Sequence, residues 1–549
     1  MVAYDATAEI PRQLIGKLIP FCVAVLLALS MSVAAARAAA PVVQTEQGVL
    51  TGLASGGVDE FLGVRYAKPP VGALRWQPPV ALPASAASIQ ATQFGSNCAQ
   101  NSSPWGTPST AEDCLFLNVY TPAGAGHGHF PFRALPVMVW IHGGGFIAGQ
   151  GSAYDPTPLV TQGGVIVVTI NHRLGALGLL AHPALDAEHH LIANYALMDQ
   201  QAALKWVRRN IASFGGDPHN VTLFGESSGG IAIYTHLASP LSSGLFQKAV
   251  IESGAPDYIT LPVAEASGET LAQQVGCAAG TNQQIAACLR QVPVATLLAH
   301  QATPTGAIVD GQLLPQPPAQ AIAREQYNHV PLINGTNHYE GRLIAAFLFD
   351  LSGAPLQASG YAAALATISN FLPGTGYPLS AIPAIEQQYA LSKYPSPDLA
   401  AAAVITDGTI ACPAYEEDRV FARSTPVFAY EFRDDDAPEI VAPPVSFPYE
   451  ATHFSELQYL FDMSALTLPG SASLTSAQRQ LSAQMVRYWT AFAAGGDPNG
   501  AGGAPDWRHF DGREAGPLQA LDTPAPHAEA TFATEHQCAF WHDLRASYQ

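Results

Sequence analysis

The segment Val221-Thr222-Leu223-Phe224-Gly225-Glu226-Ser227-Ser228-Gly229-Gly230 constrains this chain more than any other. A β-branched and aromatic run leads into G-x-S-x-G, and a helix-compatible run follows. A strand that turns directly into a helix forces the residue at the turn into a crowded backbone conformation. Glycines two positions before and two after the serine remove side chains that would obstruct it, leaving the Ser227 hydroxyl exposed. The free N–H groups and positive dipole end of the helix then lie beside that hydroxyl. G-x-S-x-G alone also arises by chance as a plain glycine turn. The strand before it and the helix after it separate this segment from that reading.

Similar apolar runs recur at Val137–Ile141, Val165–Ile170, Ala249–Ile251 and Pro331–Ile333. They are continuously apolar rather than alternating, which predicts strands buried on both faces. Between them Asn194–Phe214 reads as a helix, with Leu197, Leu204, Val207, Ile211 and Phe214 on one face and Gly215-Gly216 as its stop. Strands alternating with helices predict an α/β fold with a mostly parallel central sheet flanked by helices. From about Thr270 to Gly408 the pattern is more helical and less regular, as inserted cap elements would be. Length alone would suggest about three or four domains, but large α/β enzymes often run long as one unit. The pattern here predicts one catalytic domain, 41–549, with insertions.

Only 12% of the residues are charged, while 48% are hydrophobic. That is too apolar for a disordered chain. The formal net charge is −19 with no Lys/Arg-rich stripe, which excludes the clustered positive charge a nucleic-acid binder needs. Arg12 and Lys17 precede an apolar run from Leu18 to Ala36, closed by Ala38-Ala39-Ala40. This is the layout of a signal peptide, residues 1–40, with cleavage near Ala40 and a secreted or periplasmic product. The run approaches the roughly 20 residues that span a bilayer, so an uncleaved N-terminal anchor is the alternative. Cleavage removes Cys22 and leaves Cys98, Cys114, Cys277, Cys288, Cys412 and Cys538. An even number in an exported chain suggests disulfides, although six cysteines allow fifteen pairings. Proximity favours Cys98–Cys114 and Cys277–Cys288, with Cys412–Cys538 remaining. No C-x-x-C occurs, so a thiolate zinc site is not expected.

A second motif bears on the chemistry. Pro136–Ile141 runs directly into His142-Gly143-Gly144-Gly145-Phe146. Three consecutive glycines cost folding entropy and are kept where backbone must approach a ligand closely. The N–H groups of Gly143 and Gly144, with that of Ser228, are the candidate donors to a developing oxyanion. Removing one such donor typically costs about 10²–10³-fold in rate.

With these two motifs in this order, the sequence resembles the type-B carboxylesterase family, which includes the cholinesterases, over roughly Val43 to Trp541. Phe61-Leu62-Gly63-Val64-Arg65-Tyr66-Ala67 with Pro69-Pro70-Val71-Gly72 resembles its N-terminal signature, and Glu112-Asp113-Cys114-Leu115-Phe116-Leu117-Asn118-Val119 its second signature. Asn194, Asp199-Gln200 and Phe214-Gly215-Gly216-Asp217-Pro218 lead to the serine turn as they do in the family. The resemblance implies an α/β-hydrolase fold, and the three cysteine pairs above match the family's disulfide pattern. It also implies the remaining partners of Ser227, in the hydrolase order serine, acid, histidine. Glu340, in Asn334-Gly335-Thr336-Asn337-His338-Tyr339-Glu340-Gly341, stands where the family carries its acid. His453, in Thr452-His453-Phe454-Ser455-Glu456-Leu457, stands where it carries its base. Nothing in composition would select this one among 17 histidines.

Those roles imply a serine esterase acting on small-molecule esters through an acyl-serine intermediate, with no metal or organic cofactor. His453 takes the Ser227 proton and later delivers it to the leaving alcohol, and Glu340 orients the imidazole and stabilises its cation. Activity should fall in mild acid as His453 protonates. A hydrolase of another acyl bond (amide, carbamate, thioester or lipid) would use the same triad, and a non-catalytic adhesion protein of the family would lack the serine. Glu226 either favours the imidazolium and a cationic substrate group or complements the helix N-terminus. Ser253, in Glu252-Ser253-Gly254, resembles a supporting family serine near the acid. Trp105 lies between Cys98 and Cys114, where cholinesterases carry a choline-binding tryptophan, but in a loop that looks shorter. His189-His190 and Asp434-Asp435-Asp436 read as solvated surface rather than metal sites.

Overall fold

The strand runs read from the sequence lie side by side in one 11-stranded sheet. The computed structural model describes residues 40–125, 134–301, 306–353, 355–500, 502–513 and 516–548. The expected signal peptide falls outside them except for Ala40. The spatial order of the sheet is His527–Glu529, Leu518–Leu521, Val427–Phe432, Leu332–Asn337, Lys248–Glu252, Gly216–Glu226, Leu135–Ile141, Ile166–Ile170, Phe116–Pro122, Val58–Arg65 and Leu53–Ser55. Every pair from Leu518–Leu521 across to Ile166–Ile170 is parallel. The strands beyond them on both sides pair antiparallel. Val42–Thr45, Gly48–Thr51 and Ser88–Gln90 form a separate 3-stranded sheet.

Burial explains the runs. Ile166–Ile170 and Lys248–Glu252 are buried at every position, as strands covered by helices on both faces must be. In the core, Trp140 packs against Tyr154, Phe224 and Phe461 with ring centroids 4.7–5.1 Å apart. The helix expected over Asn194–Phe214 is α-helical at Tyr195–Asn210 and tightens to a 3₁₀ turn at Ile211–Phe214. Gly215, at φ 89°, ends it, whereas Gly216 already begins the next strand. Asp199 on this helix is fully buried and takes a 2.8 Å ion pair from Arg173, so neither charge is left unpaired.

Two insertions interrupt the parallel strands. One, between Lys248–Glu252 and Leu332–Asn337, holds the helices Leu261–Gln274, Asn282–Gln291 and Val294–His300. The other, before Val427–Phe432, holds Gly341–Leu348, Tyr361–Ile368, Ile382–Gln388 and Pro397–Ile405. They are the helical elements the irregular middle of the sequence suggested. Among the described residues no helix is long and apolar enough to cross a membrane.

Three disulfides join Cys98 to Cys114, Cys277 to Cys288 and Cys412 to Cys538. The last ties the C-terminal helix Cys538–Ala546 to the helix Cys412–Phe421. Sequence separations of 126 for Cys412–Cys538 and 11 for Cys277–Cys288 correspond to about 5 and about 3 kcal/mol of lost unfolded-state entropy. Replacing Cys412 and Cys538 together by alanine should therefore lower the urea-unfolding midpoint more than replacing Cys277 and Cys288. Equal losses, or the reverse order, would contradict this.

Candidate active site

The strand Gly216–Glu226 ends one residue before Ser227, and the helix Ser228–Ala238 begins one residue after it. Ser227 sits at φ 56°, ψ −122°, a region non-glycine residues rarely occupy. Its N–H donates to the Glu252 carbonyl at 2.9 Å on the neighbouring strand, which locks the turn. The flanking glycines have an identifiable obstacle. A Cβ on Gly225 would stand 2.5 Å from the Ile141 carbonyl oxygen, and one on Gly229 would collide with the same atom.

Ile141 is also the last residue of the strand that leads through His142 into the glycine triplet. Gly144 and Gly145 adopt φ 107° and 62°, and both line the cavity onto which Ser227 opens. Gly143, expected as an oxyanion donor, is not among the cavity-lining residues. It packs against the base of the serine turn, where a Cβ would stand 2.5 Å from a Glu226 carboxylate oxygen and 3.1 Å from the Ser227 Cβ. Close approach beside Ser227 by itself requires glycine at this position. His142 Nδ1 lies 2.8 Å from the Gly143 carbonyl, and its ring stacks on His172 at 4.7 Å. Burial, with the neighbouring His172, lowers the His142 pKa to about 3, so the neutral ring donates to that carbonyl and holds the triplet. No local sequence pattern marks this stack.

Glu340 follows the strand Leu332–Asn337 and caps the helix Gly341–Leu348. It is fully buried. Its Oε1 accepts the Asn337 N–H at 2.7 Å, and its Oε2 lies 2.6 Å from His453 Nδ1. Glu340 and His453 are 113 residues apart in sequence. Their two loops are laced together: the Tyr339 N–H donates to the Ala451 carbonyl at 2.9 Å, and the Asn337 side chain donates to the Thr452 carbonyl at 2.7 Å. The Gly341 N–H donates to Thr406 Oγ1 at 2.9 Å, at the start of a π-helical turn, Thr406–Ala411.

At the other ring nitrogen, His453 Nε2 lies 3.2 Å from Glu226 Oε1. Glu456 is also fully buried and accepts from the Asn337 side chain. Burial alone would keep His453 neutral. The carboxylates of Glu226 and Glu340, the hydrogen bond to Glu340 and the more remote Glu456 outweigh it and raise the imidazole pKa above its ordinary value. Glu226 is raised too, by burial first and by Glu456 and Glu340, with His453 pulling it back. Of the two readings of Glu226, this geometry bears on the one that favours imidazolium. Glu456 stands in the sequence three residues after His453, within a segment already singled out, but spacing gave it no role.

Ser227, Ser228, Glu226 and His453 all line a cavity of about 460 Å³. Its remaining wall is mostly apolar, formed by Phe146, Ile147, Ile231, Leu343, Ile344, Phe347, Leu348, Phe371, Leu372, Ile410 and Phe454. Trp105 is on this wall and packs on Phe347 at 5.0 Å. Ser253 also reaches it, in a second left-handed turn at φ 50°, and its buried hydroxyl has no hydrogen-bond partner among the described residues. His189 is exposed, and His190 Nε2 lies 3.3 Å from Glu188. Asp434 departs from the solvated reading: it is buried and accepts from the Tyr459 hydroxyl. Among the described residues no group of three or more His, Cys, Asp or Glu is arranged to hold a metal ion.

Comparison with known proteins agrees with this architecture. The model of the carboxylesterase family matches residues 39–541. The para-nitrobenzyl esterase of Bacillus subtilis (strain 168) is 34% identical over 477 residues, covering 83% of this chain and 90% of that protein. The acylcarnitine hydrolase of Mus musculus is 33% identical over 484 residues, covering 83% and 82%. A solved structure of a thermophilic PNB esterase superposes with a TM-score of 0.75 at 32% identity, covering 91% of this chain and 99% of that one. The chain belongs to the carboxylesterase family, and it is a hydrolase of carboxylic esters with the α/β-hydrolase fold.

Proposed function

We propose that this protein is an exported serine carboxylesterase in which Ser227 is the nucleophile, His453 the general base and Glu340 the acid that orients it. The observation that carries this reading is the 2.6 Å contact between buried Glu340 and His453 Nδ1, in a cavity that Ser227 also lines. A hydrogen bond donated from Nδ1 to Glu340 leaves Nε2 to take the Ser227 proton as the hydroxyl attacks the ester carbonyl. The N–H groups of Gly144 and Ser228, both on the cavity wall, are the donors for the oxyanion that develops. The imidazolium then protonates the leaving alcohol. Water attacks the acyl-serine with His453 again as base, and the free acid leaves.

The mostly apolar wall supports neutral esters with apolar acyl or alcohol groups as substrates. Export is supported by the three disulfides, which form and persist in oxidising compartments. It accords with the signal-peptide reading of residues 1–40 and with one domain from residue 41 onward.

Hydrolysis of a p-nitrophenyl series from acetate to palmitate, by the mature protein and by Ser227→Ala, tests the assignment. The wild type should turn over short acyl chains, and the variant should lose about 10⁵–10⁶-fold in kcat. A folded wild type inactive on every chain length, or a Ser227→Ala variant near wild-type activity, would sink it. The pH profile tests the electrostatics. Glu226 favours the imidazolium, so removing its charge makes His453 easier to deprotonate. In Glu226→Gln the acid limb of kcat/KM should move to lower pH by about 1 unit. An unmoved limb, or one displaced upward, would show that Glu226 does not act on His453.

A further inference from the structure

We propose that Arg342 is a positioning residue for this chemistry, holding the loop that carries His453 against the turn that carries Glu340. The inference rests on the triad reading above. His453 lies between two strained positions: Glu450 at φ 54° and Phe454 at φ 78° are both in the left-handed region without being glycine. Such a loop relaxes unless its surroundings over-determine it. Some of the restraint runs through the Thr452 hydroxyl. The Leu343 N–H donates to Thr452 Oγ1 at 2.7 Å, and Thr452 Oγ1 donates to the Tyr339 carbonyl at 3.2 Å.

Arg342, two residues after Glu340, adds to it. Its Nη1 pairs with Glu450 Oε2 at 2.6 Å and donates to the Pro448 carbonyl at 2.9 Å. Its guanidinium lies over the Tyr339 ring, 3.7 Å from the centroid. One planar group therefore grips the acid turn through Tyr339 and the base loop at two points, one of them the strained Glu450. An isolated exposed ion pair would contribute little. Here the Arg342 side chain is only 12% exposed, and stacking and a backbone hydrogen bond fix it as well. The geometry it protects is demanding, because a displacement of about 1 Å in a catalytic group can cost about 100-fold in rate.

The test is hydrolysis of p-nitrophenyl butyrate by the full protein as wild type, Arg342→Met, Arg342→Lys, Glu450→Gln, the Arg342→Met/Glu450→Gln pair and His453→Ala, with urea-unfolding midpoints alongside. Arg342→Met should lower kcat about 10–100-fold and leave KM within about twofold. The pair should be no worse than Arg342→Met alone, since Arg342→Met already breaks the contact that Glu450→Gln removes. The acid limb of its kcat/KM profile should also fall toward the ordinary histidine value as the Glu340 contact loosens. Arg342→Lys should recover part of the activity, because a point charge can still pair with Glu450 but cannot stack and fork as guanidinium does. A kcat within twofold of wild type in Arg342→Met, with His453→Ala inactive, would overturn the positioning role and leave the triad standing. Losses that are additive, with an unmoved pH profile and a lowered urea midpoint, would reduce Arg342 to a structural residue. An active His453→Ala would overturn the triad reading and this inference with it. Should Arg342→Met fail to fold, Glu450→Gln and Arg342→Lys carry the same comparison.

Discussion

The left-handed backbone of Ser227 is the constraint on which the rest of the site depends. A serine at φ 56°, ψ −122° is unfavourable by about 1–3 kcal/mol in isolation, and it survives because three strands converge on it. The Lys248–Glu252 strand supplies the Glu252 carbonyl that takes the Ser227 N–H. The Leu135–Ile141 strand passes so close that both flanking residues must be glycine. That same strand then leads through His142 and Gly143 to Gly144 and Gly145 on the cavity wall. The turn, the candidate oxyanion donors and the helix N-terminus are therefore a consequence of strand order in one parallel sheet, at the carboxyl ends where such sheets bind ligands. The loops that carry Glu340 and His453 follow from the next strands along.

Electrostatically the site is a balance between desolvation and attraction. Glu226, Glu340 and Glu456 lie in the interior with a single imidazole among them. Burial favours the neutral form of Glu226, Glu456 and His453. For His453 the carboxylate at each ring nitrogen wins and the cation is favoured. For Glu226 burial wins, and its carboxyl is held above the ordinary range. Stabilising the imidazolium is what proton transfer from a serine hydroxyl requires, since the cation forms as the nucleophile attacks. The requirement is also a cost, because a base that holds its proton too well in the free enzyme is idle at low pH.

Much of this was legible before the fold. The strand-turn-helix around Ser227 was, because glycine spacing and apolar runs report local sterics directly. The buried parallel strands were as well, because continuous burial leaves continuous apolar sequence. The antiparallel margins at Val58–Arg65 and Phe116–Pro122 were not read as strands, since Asp59, Glu60 and Asn118 interrupt their apolar pattern. Gly143 could not be told from Gly144 and Gly145 by type, and only the approach of Glu226 and Ser227 separates it from the cavity wall. Asp434 read as surface because three consecutive aspartates look solvated, whereas Tyr459, 25 residues later, buries and satisfies it. The apolar wall from Leu343 to Leu348 and the Arg342–Glu450 clamp depend on contacts between segments far apart in sequence. No local pattern announces them.

In this mechanism the Ser227 Oγ is the atom that bonds to the substrate's acyl group. A fluorophosphonate esterifies an activated serine and stays attached, so peptide mass spectrometry of the inhibited protein reads the nucleophile directly. One adduct per chain is expected, on the peptide containing Ser227, formed in step with the loss of ester hydrolysis. An adduct on another serine such as Ser253, or complete inhibition with Ser227 unmodified, would contradict it.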